Sequence, residues 1–195
     1  MLTTDSQCST SKGSTFNRRT LLKAGLIGLA GLALPTPGLA LLTGPADRER
    51  SLSLYNTHTG EGLKSVVYWA DGDYLPEALK DINFLLRDHR TDQVKPMDPK
   101  LFDQLYTLNT KLENRKPFQI ISGYRSPESN RKLRQASSGV AKKSFHLAGQ
   151  AADIRLPGCN LSQVRRAALN LRAGGVGYYP KSNFIHVDTG PCRSW

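Results

Sequence analysis

The five residues Phe184-Ile185-His186-Val187-Asp188 set the strictest condition on how this chain folds. In an extended strand successive side chains point to opposite faces. Phe184, His186 and Asp188 therefore share one face, and Ile185 and Val187 share the other. Such a strand needs an apolar core on one side and polar partners on the other, because an imidazole and a carboxylate are costly to bury unpaired. A metal ion would satisfy them, and so would a hydrogen bond between the two. The strand alone leaves both open.

Other segments supply the sheet and helices around it. Leu52 and Leu54 alternate with polar residues, Thr59-Gly60-Glu61-Gly62 offers a turn, and Val66 to Trp69 reads as the return strand of a hairpin. Leu75, Leu79, Ile82, Leu85 and Leu86 recur at helical spacing around Pro76, a good first-turn residue. Asp98-Pro99 opens a second helix with Phe102, Leu105, Leu108 and Leu112 on its apolar stripe. Pro117 to Ile121 reads as a strand, Pro127 as a helix start, Ala151 to Leu156 as a strand, and Leu161 to Arg172 as a helix ended by Gly174-Gly175. "VGYY" and "FIHVD" follow as two strands. Helices and strands mix without regular βαβ alternation, so the expected class is α+β, with a small, mostly antiparallel sheet flanked by helices.

The first forty residues are a different kind of sequence. "NRRTLLKAG" (Asn17 to Gly25) precedes a short apolar run ending in Gly38-Leu39-Ala40, the three parts of a secretory signal. Paired Arg18 and Arg19 followed by Leu21, Leu22 and Lys23 resemble the twin-arginine export motif. Pro35 and Pro37 interrupt the run, which argues against a membrane span of about 20 apolar residues. The expected organisation is a signal over residues 1–40, a linker over 41–50 and one domain over 51–195, located in the periplasm.

Without residues 1–40, which hold four basic residues and one acid, the formal charge falls from +11 to +8. That surplus suits an anionic polymer outside the cytoplasm, such as cell-wall material. No basic run with interleaved aromatics occurs, so nucleic acid is not an expected partner. Two cysteines remain, Cys159 six residues past Asp153 and Cys192 six past His186. A disulfide between them and two free thiols stay equally open.

His58, in the expected hairpin turn, and His89, in "RDHRTD", read as solvated or locally hydrogen-bonded imidazoles. His146 differs, because it lies in "SFHLAGQAAD" (Ser144 to Asp153), a Gly-containing loop that feeds the strand carrying Asp153. With His186, these make two imidazoles and one carboxylate, a set that suits zinc with one position left open for water. Two histidines and a carboxylate also suit iron, but an exported chain disfavours iron(II) chemistry.

The ordered set "SGYR", Ser-x-His with six residues between that histidine and an Asp, and a late strand histidine resembles the zinc site of the lysostaphin-like and D-alanyl-D-alanine metallopeptidases. The resemblance covers nearly all of the chain after the signal and is most specific over residues 121–195. It implies Zn2+ held by His146, Asp153 and His186, Arg125 facing the scissile carbonyl, and Ser144 bonding substrate. Tyr178 and Tyr179 could line the substrate groove, and either ring equally suits the core.

One feature of the family is missing: relatives place an acid or histidine two to six positions before the last ligand, and this chain has "PKSNFI" there. Asp188 is the remaining carboxylate, either as base or water-positioner or as the partner that orients the His186 ring.

The resemblance thus implies a zinc endopeptidase acting on peptidoglycan cross-links, either D-alanine–diaminopimelate or diaminopimelate–diaminopimelate bonds. A carboxypeptidase on the stem peptides and a noncatalytic wall-binding module are the competing readings. A monomer with no membrane span after signal removal is expected.

Overall fold

The computed structural model describes residues 48–137 and 139–195; the expected signal, its cleavage point after Ala40 and most of the linker lie outside them. In chain order the elements are β1 (Glu49–Asn56), β2 (Gly62–Ala70), β3 (Asp73–Tyr74), α1 (Pro76–Leu85), α2 (Pro99–Lys111), β4 (Phe118–Ser122), α3 (Pro127–Ala136), α4 (Phe145–Ala148), β5 (Ala151–Arg155), α5 (Leu161–Leu171), β6 (Gly175–Tyr179), β7 (Phe184–Asp188) and β8 (Arg193–Ser194). β1 begins at Glu49, inside the stretch read as linker.

The strands form one eight-stranded sheet in the order β3-β2-β1-β4-β5-β7-β6-β8. The class is α+β and the pairing mostly antiparallel, as expected; the sheet is larger than expected and includes two parallel pairs. β1 pairs with β4 in parallel, and so does β6 with β8; the other neighbours are antiparallel. The β1–β4 pairing is parallel because the chain leaves the β1–β2 hairpin and returns through α1 and α2, the crossover such a pair requires.

Strand parity divides the sheet into two unlike faces. Leu52, Leu54, Phe118, Ile120, Ala152, Ile154, Val176, Ile185 and Val187 point to one side and join the core. Helix residues close that core, chiefly Ile82 of α1, Leu101, Phe102, Leu105 and Leu108 of α2, and Val164 and Ala168 of α5. Asp98 caps α2 by accepting a hydrogen bond from the Lys100 N–H at 3.0 Å, with Pro99 in the first turn. α5 ends at Leu171 with Arg172 in the left-handed region at φ 51°, before the glycines expected to stop it; Gly175 instead opens β6. The opposite parity of β5, β7 and β6 carries Asp153, His186, Asp188, Gly177 and Tyr179.

Candidate metal centre

His146 sits on a single helical turn rather than in the expected loop. Ser144 caps that turn, its hydroxyl accepting from the His146 N–H at 3.4 Å, and Gly149 ends it in the left-handed region at φ 73°. Four residues are too few for helical periodicity to show in the sequence. Two further bonds fix the ring: the Arg125 N–H donates to the His146 carbonyl at 3.2 Å, and His146 Nδ1 lies 2.7 Å from the Gly123 carbonyl. A carbonyl only accepts, so Nδ1 carries the proton and Nε2 presents a lone pair.

Asp153 and His186 are direct cross-strand partners on β5 and β7. Cross-strand pairs on one face lie close enough for side chains to meet. His186 Nδ1 is 2.9 Å from Asp153 Oδ1, and His146 Nε2 is 3.3 Å from the same oxygen. The two imidazole nitrogens are 3.1 Å apart. One ligand atom from each residue falls within 4.8 Å of the others, and all three residues are buried, so the group could hold a metal ion.

On the far edge of the His186 ring, Nε2 lies 2.9 Å from Asp188 Oδ2. Both oxygens of Asp188 are engaged elsewhere as well. Oδ1 accepts from the N–H groups of Gly175 (3.1 Å) and Gly190 (2.9 Å), and Arg193 grips both oxygens at 3.0 and 2.6 Å. Asp188 is wholly buried. Burial alone would raise its pKa, but His186, Arg193 and the two backbone N–H groups hold it well below the usual carboxylate range. A carboxylate so held keeps the Nε2 proton on His186 and turns Nδ1 toward Asp153. The hydrogen bond between His186 and Asp188 and the candidate ligand set thus coexist on opposite edges of one ring. Asp188 has neither a free oxygen nor a position facing the cluster, so the expected base role does not fit this geometry.

The cluster is electrostatically self-consistent. Burial would raise the Asp153 pKa, yet the two histidines hold it far below the ordinary range. Burial would lower the His186 pKa, yet Asp153 and Asp188 raise it. Arg125 adds positive charge at the edge, its Nη2 3.6 Å from Asp153 Oδ2. Burial lowers its pKa, with Asp153 opposing. Its other bonds are long, 3.4 Å to Ser122 Oγ and 3.5 Å to Asn130 Oδ1, and its Nε has no partner.

A cleft of about 460 Å³ opens over the cluster. Arg125, Ser144 and the three candidate ligands line it, together with Tyr179. Tyr178 does not: it pairs with Ile185 on the core face, packs against the core, and sits beneath the Arg165 guanidinium at 5.0 Å. Of the two tyrosines expected at the groove, Tyr179 lines it and Tyr178 packs on the core side, because Gly177 pairs with His186 and Tyr179 shares Gly177's face. Phe145, Phe184, Arg193 and Trp195 also line the cleft and had no signal beyond nearness to the motifs. Although Asp153 and His186 do meet, the cysteines beyond them stay apart as free thiols: Cys159 Sγ accepts from Asn114 and Cys192 Sγ donates to the Arg172 carbonyl.

Comparison with known proteins covers the residues that build this site. A family model described as "Peptidoglycan L,D-endopeptidase MepK" matches residues 44–195. The protein of that name from Escherichia coli (strain K12) is 52% identical over 179 residues, covering 92% of this chain and 97% of that protein. The "Probable peptidoglycan L,D-endopeptidase MepK" of Haemophilus influenzae is 46% identical over 180 residues, covering 92% and 95%. With a buried cluster of His146, Asp153 and His186 and this match across the described residues, the chain belongs to the peptidoglycan L,D-endopeptidase MepK family.

Proposed function

We propose that this protein is a zinc-dependent endopeptidase that cuts peptide cross-links in periplasmic peptidoglycan. One observation carries the metal: two imidazole nitrogens 3.1 Å apart converge on one oxygen of a buried carboxylate, at 2.9 and 3.3 Å. Two histidines, one aspartate and a side open to a cleft match a hydrolytic zinc shell. Zinc bound there would lower the pKa of a bound water to about 7 and polarise a carbonyl.

The chain's own residues supply the rest. Arg125, loosely bonded at the cluster's edge, is free to turn its guanidinium toward a developing oxyanion, an effect worth about 3–4 kcal/mol per donor elsewhere. Asp188 orients His186, and Ser144 offers its hydroxyl to substrate from the cleft wall. The surplus of basic residues favours an anionic polymer, and the Arg18-Arg19 segment supports export by the twin-arginine route.

The relatives' names favour one bond. A link between two meso-diaminopimelate residues joins an L-centre carboxyl to a D-centre amine, whereas a D-alanine–diaminopimelate link joins two D-centres. The first is therefore the expected substrate. Digesting purified muropeptide dimers of each type, with and without chelator, tests this: chelator-sensitive cleavage of the diaminopimelate–diaminopimelate dimer is expected. Release of only a terminal residue would favour a carboxypeptidase instead, and no cleavage would favour a wall-binding module.

A further inference from the structure

The cleft poses a chemical problem. Among its described lining residues the only carboxylate is Asp153 and the only imidazoles are His146 and His186, all three in the candidate metal shell. Amide cleavage still needs donors for the charge that builds on substrate, and Arg125 is one. The geometry points to Tyr179 as a second: we propose that its phenol O–H is a catalytic hydrogen-bond donor to the substrate's reacting amide. This rests on the peptidase reading above.

Strand register and two side-chain contacts place that residue. Tyr179 lies on the same strand face as Gly177, whose cross-strand partner is His186. The Trp195 indole covers Gly177 so closely that a Cβ there would meet its ring at 2.7 Å, and the indole is 5.3 Å from the His186 ring. Trp195 Nε1 then donates to the Tyr179 hydroxyl oxygen at 2.8 Å, while the Tyr179 ring stacks on Phe184 at 4.6 Å and 19°. The phenol is thus held from both ends, at the edge of an indole that itself abuts the cluster.

The direction of the bond to Trp195 decides what the phenol can do. An indole N–H only donates, so the tyrosine oxygen is the acceptor and its own proton remains available. Among the described residues no acceptor is within hydrogen-bond distance of that hydroxyl, and the residue lines the cleft. A rigid donor aimed where charge develops needs no reorganisation during reaction, which is what makes such donors effective. The phenol keeps its proton throughout and only donates a hydrogen bond.

The test is Tyr179→Phe, which preserves the stack on Phe184 and removes only the hydroxyl. The expected result on a diaminopimelate–diaminopimelate dimer is a kcat lower by roughly 10- to 100-fold, with KM and bound zinc unchanged. Affinity for a phosphinate analogue of the tetrahedral state falls by a similar factor. Trp195→Phe, which leaves the hydroxyl but frees its orientation, gives a smaller loss, and the double variant is no worse than Tyr179→Phe. Native kcat and native phosphinate affinity in Tyr179→Phe would overturn the inference, as would a loss confined to KM, the mark of a mere groove wall. If the native protein cleaves no dimer, both this inference and the peptidase reading fall; if only the variant comparison fails, the peptidase reading stands.

Discussion

Asp188 meets His186 at Nε2, 2.9 Å away, on the ring edge opposite the nitrogen that faces Asp153. This places the carboxylate behind a candidate ligand and away from the cleft. Asp188→Asn keeps the shape but removes the charge that fixes the His186 tautomer. Zinc affinity is expected to fall about 10- to 100-fold, the usual cost of losing such a partner. Saturating zinc should restore most of the activity. A general base would behave otherwise: activity would stay lost with the metal fully bound.

Arg125 is expected to act on rate and leave the metal alone. Arg125→Ala removes a cation whose nearest ion-pair contact is 3.6 Å from Asp153. We expect kcat to drop about 10²- to 10³-fold with zinc stoichiometry unchanged, read by steady-state kinetics beside metal analysis. Arg125→Lys should recover only part, because a point charge does not reproduce the planar fork of donors.

His89 gives the fold a pH dependence away from the site. Its ring stacks on His58 at 3.8 Å, and burial, helped by Arg90 and His58, lowers its pKa from 6.5 to about 4. The unfolded chain therefore takes up this proton at a higher pH than the folded one. Stability from this group is complete above about pH 6.5 and is lost as pH falls toward 4. Urea midpoints between pH 7.5 and 4.5 should fall for the native protein and fall less for His89→Gln.

The helix layer and the site should separate energetically. Leu105 of α2 is fully buried on the face away from the cleft. Leu105→Ala should cost about 2–5 kcal/mol of unfolding free energy, while kcat of the still-folded fraction is unchanged at low temperature.

The sequence pointed to the grouping of His146, Asp153 and His186 because its information is local and chemical. His146 and Asp153 lie in one short segment, and His186 lies on a strand whose alternation is plain. The division of β7 into a core face with Ile185 and Val187 and a site face with His186 and Asp188 follows from period two alone. What escaped depends on pairing between distant segments. Tyr178 and Tyr179 are equivalent in composition, and only the register against His186 decides which one faces the cleft. The role of Asp188 turns on which imidazole nitrogen faces inward, set by Asp153 on another strand. The parallel union of β1 with β4, and of β8 with β6, leaves no periodic trace in strands this short.

Metal content tests the central claim most directly. Protein purified without residues 1–40 and dialysed against trace zinc should hold one zinc per chain by elemental mass spectrometry. A strong chelator should remove it, and His146→Ala, Asp153→Ala and His186→Ala should each lower it to a small fraction in protein whose circular dichroism is native-like. Native protein that binds no stoichiometric zinc, or ligand variants that keep a full equivalent, would contradict the account.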